Sequence, residues 1–343
     1  MQFDNTDQFK QIISDNQKFV IVTHLNPDGD ALGSSLGLAA VIQALGKQAA
    51  VITPDNAPTF YSWMPGIRKS LTYDRQTEEC DKLIDSADVI VYLDFNCTKR
   101  IQALGEKIEQ SKAVKMLIDH HLYPEVNVDA AFSDPTAPAT CELVYNLLRA
   151  TGFEEHIGKD AATNFYTGII TDTGALSYNS SKPETYLTVA SLLDKGIDKT
   201  HIHDKIFNNK HFRRLQLMGF CLYRKMERIN KMPITMMALS DEELRRFNYN
   251  TGDTEGFVNY PLSIKDVEVS ALILERPDKI KMSFRSKGEF PVNEFSARFF
   301  GGGGHKNAAG GTFAGTLDEA VARYKINIVQ FYNEWTEKNR KKK

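Results

Sequence analysis

The chain has 343 residues, of which 42% are hydrophobic and 25% charged, the profile of a folded protein long enough for two domains. Its formal net charge of -2 argues against a protein that holds long duplex nucleic acid by broad electrostatic attraction. A small anionic substrate, held by one local patch or by metal ions, remains open. The one dense basic run, residues 338–343, fits a solvated helix end better than a nucleic-acid contact.

The cysteine pattern and the N-terminal segment predict a cytoplasmic protein. Neither a CxxC pair nor zinc-finger spacing occurs among the four cysteines, so we expect reduced and at least half-buried thiols at Cys80, Cys97, Cys141 and Cys221. Residues 1–5 show no secretory signal, and no apolar run approaches the length of a membrane span. We therefore expect no association with membranes.

The first half of the chain alternates predicted strands with predicted helices. A helix rich in Ala and Leu is predicted over residues 31–45, and another over residues 101–108. Short apolar runs predict buried strands at residues 19–23, 49–53, 88–93 and 113–118. This alternation indicates an α/β fold with a parallel sheet that is covered on both faces.

The second half changes character twice. Residues 137–230 are mostly helical, with a break at Pro183 and several helices expected over residues 184–227. Strands are then predicted at residues 234–239, 267–274 and 280–285, and a last helix at residues 317–335. We predict a catalytic domain, a helical connector and a smaller mixed α/β domain, at residues 1–182, 183–230 and 231–343.

A first candidate site follows the first predicted strand. His24, Asp28 and Asp30 lie in a turn shaped by Pro27 and Gly29. Ligands of open parallel sheets bind beyond the carboxyl ends of the strands, which is where this turn falls. The segment therefore indicates a metal site, and the alternative is a turn in which Asp30 caps the following helix.

Polar residues also follow the third and fourth predicted strands. Asp94 ends the third, where taken alone it would equally fit a helix cap or a turn. Asp119, His120 and His121 end the fourth. Adjacent histidines point in different directions, so one can bind metal and the other a substrate phosphate, while Asp119 orients a ring nitrogen. The alternative for these three residues is a polar loop.

Asp172 closes an apolar segment between Gly168 and Gly174, which suits either a close approach to a ligand or a simple helix end. The strand ends at His24, Asp94 and His120 share one edge of the predicted sheet. This mixture of His and Asp suits Mn²⁺ or another borderline metal better than a site built of oxygen ligands alone. It contains enough ligands for two metals that share a carboxylate, an arrangement that hydrolyses phosphate esters.

The predicted second domain carries a glycine-rich segment at residues 301–311, with His305 and Lys306 inside it. Glycines allow backbone N–H groups to approach an anion closely. The spacing is not that of a P-loop. We interpret the segment as a substrate-binding loop, with a flexible linker as the alternative.

These segments resemble the DHH phosphoesterase superfamily, in its branch with a C-terminal DHHA1 domain. The resemblance spans about residues 20–312 in the order of the family. It is carried by HLNPDGDALGS (residues 24–34), Asp94, the DHH triplet (residues 119–121), Asp172 and GGGGHKNAAGG (residues 301–311).

The resemblance implies a role for each matching residue. One metal would be held by His24, Asp28 and Asp94, and the other by Asp30, Asp94, His120 and Asp172. His121, beside Asp119, is implied to contact the scissile phosphate. The implied substrate contacts are Asn259, Arg285, Gly302, Gly303, Gly304 and His305. Manganese is the expected metal, with magnesium and cobalt as alternatives.

Length and architecture resemble the stand-alone enzymes of this family. These hydrolyse short oligoribonucleotides (nanoRNA) to mononucleotides and 3′-phosphoadenosine 5′-phosphate to AMP. The alternatives are a polyphosphate or pyrophosphate hydrolase, a phosphodiesterase of cyclic or linear dinucleotides and, more remotely, a nucleotide-binding protein without catalysis. The direction of cleavage and the oligomeric state stay open, a homodimer included.

Overall fold

The computed structural model describes residues 5–250 and 252–340, and the chain folds as two compact units, Met1–Asn209 and Lys210–Lys343. The division between them falls inside the segment predicted as a connector. The elements of the first unit are, in chain order, α1 (Thr6–Asp15), β1 (Lys18–Val22), α2 (Gly29–Ala44), β2 (Gln48–Thr53), β3 (Leu71–Thr72), α3 (Thr77–Asp85), β4 (Val89–Leu93), α4 (Ala103–Gln110), β5 (Val114–Asp119), β6 (Ala130–Ser133), α5 (Thr140–Ala150), α6 (Lys159–Asp172), α7 (Pro183–Asp194) and α8 (Lys199–Ile206).

The first unit is built on a six-stranded sheet of order β3-β2-β1-β4-β5-β6. Every neighbouring pair is parallel, which confirms the predicted sheet. All five residues of β4 are buried, as expected for a central parallel strand. Strands β3 and β6 lie at the edges and have only two and four residues, too short for a recognisable periodicity.

Helices cover both faces of this sheet. On one face, α2, α5 and α6 bury apolar side chains such as Leu36, Val144 and Phe165 against β1 and β4. On the other face, α3 and α4 contribute residues such as Ile84 and Leu104. Burying strands from both sides leaves their ends as the place where polar side chains can gather.

The second unit contains α9 (Phe212–Phe220), β7 (Met226–Arg228), β8 (Ile234–Leu239), α10 (Asp241–Arg246), β9 (Val269–Glu275), β10 (Ile280–Ser286), α11 (Val292–Phe300), β11 (Gly303–His305), β12 (Ala308–Phe313) and α12 (Leu317–Arg340). Its sheet has the order β11-β12-β10-β9-β8-β7, and only β8 and β9 pair in parallel. Helices α11 and α12 pack on one face, and α9 and a 3₁₀ helix (Phe257–Ser263) pack on the other. The predicted mixed α/β architecture is confirmed.

Several local predictions can be compared with the structure. The glycine-rich segment is not simply a loop, because Gly303–His305 forms a strand that pairs with β12. Helix α12 extends five residues past the predicted end at Trp335, so Lys338 and Arg340 are exposed on its last turn. The remaining basic residues, 341–343, lie outside the described residues. No disulfide is formed: Cys80, Cys141 and Cys221 are buried and Cys97 is half-buried, as predicted.

Across residues 5–250 and 252–340, no helix combines the length and the apolar character needed to cross a membrane.

Candidate functional site

Three adjacent strands of the first unit deliver polar residues to one edge of the sheet. His24 lies two residues after β1, Asp94 directly follows β4, and His120 directly follows β5. Strand β4 pairs with both β1 and β5, in parallel. The three strand ends are therefore neighbours, as the sequence predicted, and their side chains meet.

The ring of His24 is oriented by its own backbone. Nδ1 lies 2.8 Å from the carbonyl oxygen of Leu25, so it donates a hydrogen bond there and leaves the lone pair on Nε2. Nε2 is buried and has no hydrogen-bond partner among the described residues. It lies 3.5 Å from Oδ2 of Asp94 and 3.9 Å from Oδ1 of Asp28. A buried nitrogen that faces two carboxylates without a donor between them fits a metal ligand.

The ring of His120, which follows β5, is also held by a backbone carbonyl oxygen. Its Nδ1 lies 3.2 Å from the carbonyl oxygen of Ala137. Its Nε2 lies 3.5 Å from Oδ2 of Asp172, 3.6 Å from Oδ1 of Asp94 and 3.9 Å from Oδ2 of Asp30. Asp172 is the last residue of α6, so it is a helix-end residue whose side chain also faces the cluster.

Asp94 lies between the two histidines and turns a different oxygen towards each. Oδ2 faces His24 and Oδ1 faces His120, while the hydroxyl of Thr140 donates to Oδ1 over 2.9 Å. The backbone of Asp94 is left-handed, with a φ of 64°. A residue other than glycine in this region is strained, and such strain persists where the surrounding structure enforces it, most often at functional sites.

The two aspartates after β1 have different tasks. Oδ1 of Asp28 accepts hydrogen bonds from the backbone N–H groups of Asp30 and Ala31, so Asp28 caps α2. The alternative in which Asp30 caps this helix is therefore wrong. Asp30 instead accepts the backbone N–H groups of Thr140 and Cys141, over 2.6 and 2.9 Å. These groups begin α5, so a buried carboxylate lies at a helix N-terminus, where negative charge is favoured.

Gly168 allows this approach. A Cβ atom at position 168 would lie 2.2 Å from Sγ of Cys141 and 2.8 Å from Oδ1 of Asp30. Any side chain there would displace Asp30. Gly168, which stood out in the sequence, therefore leaves room for the carboxylate of Asp30 and not for a bound ligand.

The charges of the cluster are unbalanced without cations. Burial raises the pKa of Asp30 well above its ordinary value, and the carboxylates of Asp94 and Asp172 raise it further. Burial also acts to raise the pKa of Asp94, but the rings of His24, His121 and His120 close to its carboxylate outweigh burial, so this pKa is lowered. Burial lowers the pKa of His24 and of His120, and the surrounding carboxylates more than offset this, so both are raised. Divalent cations would relieve the repulsion among these carboxylates.

His121 is held from both sides of its ring. Nδ1 lies 2.7 Å from Oδ1 of Asp119, which is fully buried. Nε2 lies 3.1 Å from Nη1 of Arg100. Asp119 thus orients His121 and not the neighbouring His120. The ring nitrogen that this carboxylate contacts is Nδ1 of His121.

The six predicted ligands form two groups of potential ligand atoms, each group lying within 4.8 Å: His24, Asp28 and Asp94 in one, and Asp30, His120 and Asp172 in the other. Imidazole nitrogens with carboxylate oxygens suit manganese and related divalent ions. The residues present therefore fit bound divalent metals.

The predicted substrate contacts belong to the second unit. Arg285 on β10 and His305 on β11 both lie directly opposite Ala308 on the strand between them, so the two side chains share one face of the sheet. Asn259 is half-buried in the 3₁₀ helix that packs on this same face. The structure thus brings Arg285 and His305 into one row across three strands.

The predicted glycines serve different purposes. A Cβ at Gly302 would lie 1.8 Å from the carbonyl oxygen of Gly310, and Gly304 has a φ of 134° that disfavours other residues. The backbone therefore requires glycine at positions 302 and 304. Gly303 has neither constraint, since a Cβ there would meet nothing within 4 Å. It pairs with Gly310 beside the row of Arg285 and His305, which leaves a strip of sheet without side chains.

Two residues of this site were not foreseen. Arg100 lies in a 3₁₀ helix (Thr98–Ile101) after β4, and its only signal was a basic residue in a loop that follows a strand ending in a candidate ligand. Thr140 reaches Asp94 from 46 positions away, and no local pattern identifies it.

The fold and the cluster at the strand ends define the class of this protein: the chain belongs to the DHH family of phosphoesterases and is a hydrolase. Residues 18–169 match the DHH family, N-terminal domain, and residues 232–336 match the DHHA1 domain.

Similar proteins cover nearly the whole chain. The bifunctional oligoribonuclease and PAP phosphatase NrnA of Thermus thermophilus is 31% identical over 88% of this chain and 86% of its own length. The protein of the same name from Bacillus subtilis is 24% identical over 88% and 90%. The crystal structure of an exopolyphosphatase-related protein from Bacteroides fragilis is 44% identical, with a TM-score of 0.92 over 95% of this chain and 96% of that one.

Proposed function

We propose that this protein is a two-metal phosphoesterase that hydrolyses short oligoribonucleotides to mononucleotides and 3′-phosphoadenosine 5′-phosphate to AMP. The observation that carries the proposal is the position of Asp94, whose two carboxylate oxygens face two different histidines. His24, Asp28 and Asp94 would hold one metal. Asp30, Asp94, His120 and Asp172 would hold the other.

The metals expected here are manganese, with magnesium and cobalt as alternatives. When bound, they would lower the pKa of a water and place positive charge against the phosphoryl oxygens. The chain's own residues prepare the site for them. Leu25 and Ala137 hold the two imidazoles through their carbonyl oxygens, and the N-terminus of α5 holds Asp30. Because these ligands are fixed by their neighbours, the cluster needs little rearrangement on binding.

His121 acts on the substrate and not on the metals. Its contact with Asp119 places the Nδ1 proton and directs the other nitrogen away from the carboxylate. We assign Nε2 of His121 the contact with the scissile phosphate. Asp119 is buried and positions the ring, as carboxylates behind functional histidines do.

The second unit supplies recognition of the nucleotide. Arg285 and His305 offer donors to phosphate oxygens from one row of the sheet, and Asn259 lies on the same face. The bare strip at Gly303 gives a base or a ribose access to the backbone. A row of two donor side chains suits one or a few nucleotides, in agreement with the weakly acidic net charge of the chain.

The names of the Thermus and Bacillus relatives support this choice of substrates. Hydrolysis of polyphosphate is the second candidate, because the Bacteroides structure bears the name of an exopolyphosphatase-related protein and is 44% identical. Both candidates use the same metal cluster and differ in what the second unit holds.

The test is product release with Mn²⁺ on four substrates in parallel: RNA of a few nucleotides, 3′-phosphoadenosine 5′-phosphate, a cyclic dinucleotide and short-chain polyphosphate. We expect rapid turnover of the short RNA and of the bisphosphate. Turnover of polyphosphate alone would overturn the substrate while keeping the metal site. Turnover of the cyclic dinucleotide above the other three would favour a phosphodiesterase of that class.

A further inference from the structure

Arg100 touches the ends of all three site-bearing strands. Its backbone carbonyl oxygen accepts the N–H of Leu25 after β1, over 2.8 Å. Its Nη1 lies 3.4 Å from the carbonyl oxygen of Asp94 after β4, and 3.1 Å from Nε2 of His121 after β5. The residue is not fully exposed, and its side chain is positioned by these contacts.

The guanidinium is a cation beside a cluster of carboxylates, yet it forms no ion pair with any carboxylate of residues 5–250 and 252–340. Its side-chain hydrogen bonds in that part of the chain both use Nη1 and both go to neutral acceptors, a carbonyl oxygen and an imidazole nitrogen. Nε and Nη2 remain for a ligand. A guanidinium offers its N–H groups as a planar fork that matches two oxygens of a phosphate.

The contact with His121 shows where that ligand would lie. The nitrogen of His121 that Arg100 contacts is the one assigned to the scissile phosphate, so the two side chains face one location. An anion that enters there can accept N–H groups from Arg100 and replace the contact between the two side chains. Neutral acceptors are weaker partners for a guanidinium than phosphate oxygens.

We propose that Arg100 is a catalytic residue that binds two non-bridging oxygens of the scissile phosphate, beside His121 and the metal cluster. This inference rests on the proposed phosphoesterase function, which it extends with a further residue that contacts the phosphate. Arg100 supplies the fixed positive charge against which charge on the phosphoryl oxygens develops during hydrolysis. The backbone contact with Leu25 does not depend on the side chain, so the loop can keep its path when the side chain is changed.

The test compares Arg100→Ala and Arg100→Lys with Lys99→Ala, the matched control. Lys99 is the neighbour in the same 3₁₀ helix and has no contact with the cluster among the described residues, so its loss changes the net charge equally without touching the site. Binding of inorganic phosphate to the Mn²⁺-loaded proteins is measured by equilibrium dialysis, together with Mn²⁺ affinity and thermal unfolding. Phosphate binding does not depend on the identity of the natural substrate.

Arg100→Ala is expected to bind phosphate roughly 10- to 100-fold more weakly, the usual effect of losing a hydrogen bond to a charged group. Mn²⁺ affinity and the unfolding temperature are expected to stay at the wild-type values. Arg100→Lys should fall between Arg100→Ala and wild type, because it keeps the charge and loses the fork. Lys99→Ala should bind phosphate within about twofold of wild type, as a solvated charge is screened.

Wild-type phosphate binding by Arg100→Ala would overturn the assignment, and so would a parallel loss of Mn²⁺, which would make the role structural. Wild-type phosphate binding by Arg100→Lys would overturn the proposed contact between the guanidinium and two phosphate oxygens. Failure of the wild-type protein to hydrolyse RNA or the bisphosphate would overturn the proposed function instead. The phosphate affinities of the variants could still be compared in that case.

Discussion

The proposed metal cluster of the first unit and the proposed substrate face of the second unit are built in opposite ways. The cluster is made of side chains that are close together, mostly buried and held in place by further groups, as Asp30 is by the N-terminus of α5. The substrate face is made of strands, with Arg285 and His305 on one row and bare backbone at Gly303 beside them. A catalytic centre needs fixed ligands, whereas a recognition surface can leave room for its ligand.

This difference explains where substitutions should act. A change in the cluster removes chemistry and disturbs several neighbours, because its carboxylates serve more than one partner. A change on the substrate face removes one contact and alters affinity. The four predictions below test the contrast, from the largest expected effect to the smallest.

Asp94→Asn should abolish turnover. The amide replaces one of two carboxylate oxygens that face different histidines, so both groups of ligands lose a charged partner. Steady-state hydrolysis of a short RNA with Mn²⁺ measures the effect. Asp88→Asn is the matched control, since Asp88 precedes the same strand at its other end and accepts hydrogen bonds from the backbone of Gln17 and Lys18. Equal rates in the two variants would contradict the role of Asp94.

His121→Ala should lower kcat by roughly 100- to 10,000-fold, the range for a residue that acts on the reacting group. Asp119→Asn should lower it by about 10- to 100-fold, because it only orients the ring. Mn²⁺ affinity is expected to stay unchanged in both variants, which separates them from the metal ligands. A loss of bound manganese in His121→Ala would place this histidine among the ligands instead.

The affinity for Mn²⁺ should fall as pH is lowered through neutrality. Neighbouring carboxylates outweigh burial and raise the pKa of His24 and of His120, so both rings stay protonated to higher pH than usual. A protonated imidazole cannot bind metal, so each such proton costs about tenfold in affinity per pH unit below its pKa. Titration of Mn²⁺ at several pH values measures the slope. His203→Ala is the control, since His203 lies in α8 and is not one of the predicted ligands. A flat profile would contradict this account.

Adjacent glycines of the second unit should respond differently to alanine. Gly304→Ala should lower the free energy of unfolding by about 1–3 kcal/mol, because its φ of 134° is costly for any side chain. Gly303→Ala should leave stability within about 0.5 kcal/mol and raise KM several-fold, since it narrows an open strip. Urea unfolding and steady-state kinetics separate these effects. Equal destabilisation in both variants would show that Gly303 has a structural role after all.

The sequence was most informative where polar residues directly follow apolar runs, because residue type and position then both indicate a site. Apolar runs predicted β1, β4 and β5, and parallel strands place their carboxyl ends together, so the meeting of His24, Asp94 and His120 followed. The groups that hold the buried carboxylates could not be predicted from local patterns. Thr140 and Cys141, for example, contact Asp30 from 110 and 111 positions away. Glycine was the least informative type, since Gly302, Gly303 and Gly304 look alike in sequence and differ only in their surroundings.

The number of manganese ions bound per chain tests the central claim most directly. Equilibrium dialysis of the wild-type protein should find two, and Asp94→Asn should lose affinity for both because one carboxylate serves both groups of ligands. Two ions bound with wild-type affinity by Asp94→Asn, or a single ion in the wild type, would contradict the shared-carboxylate centre.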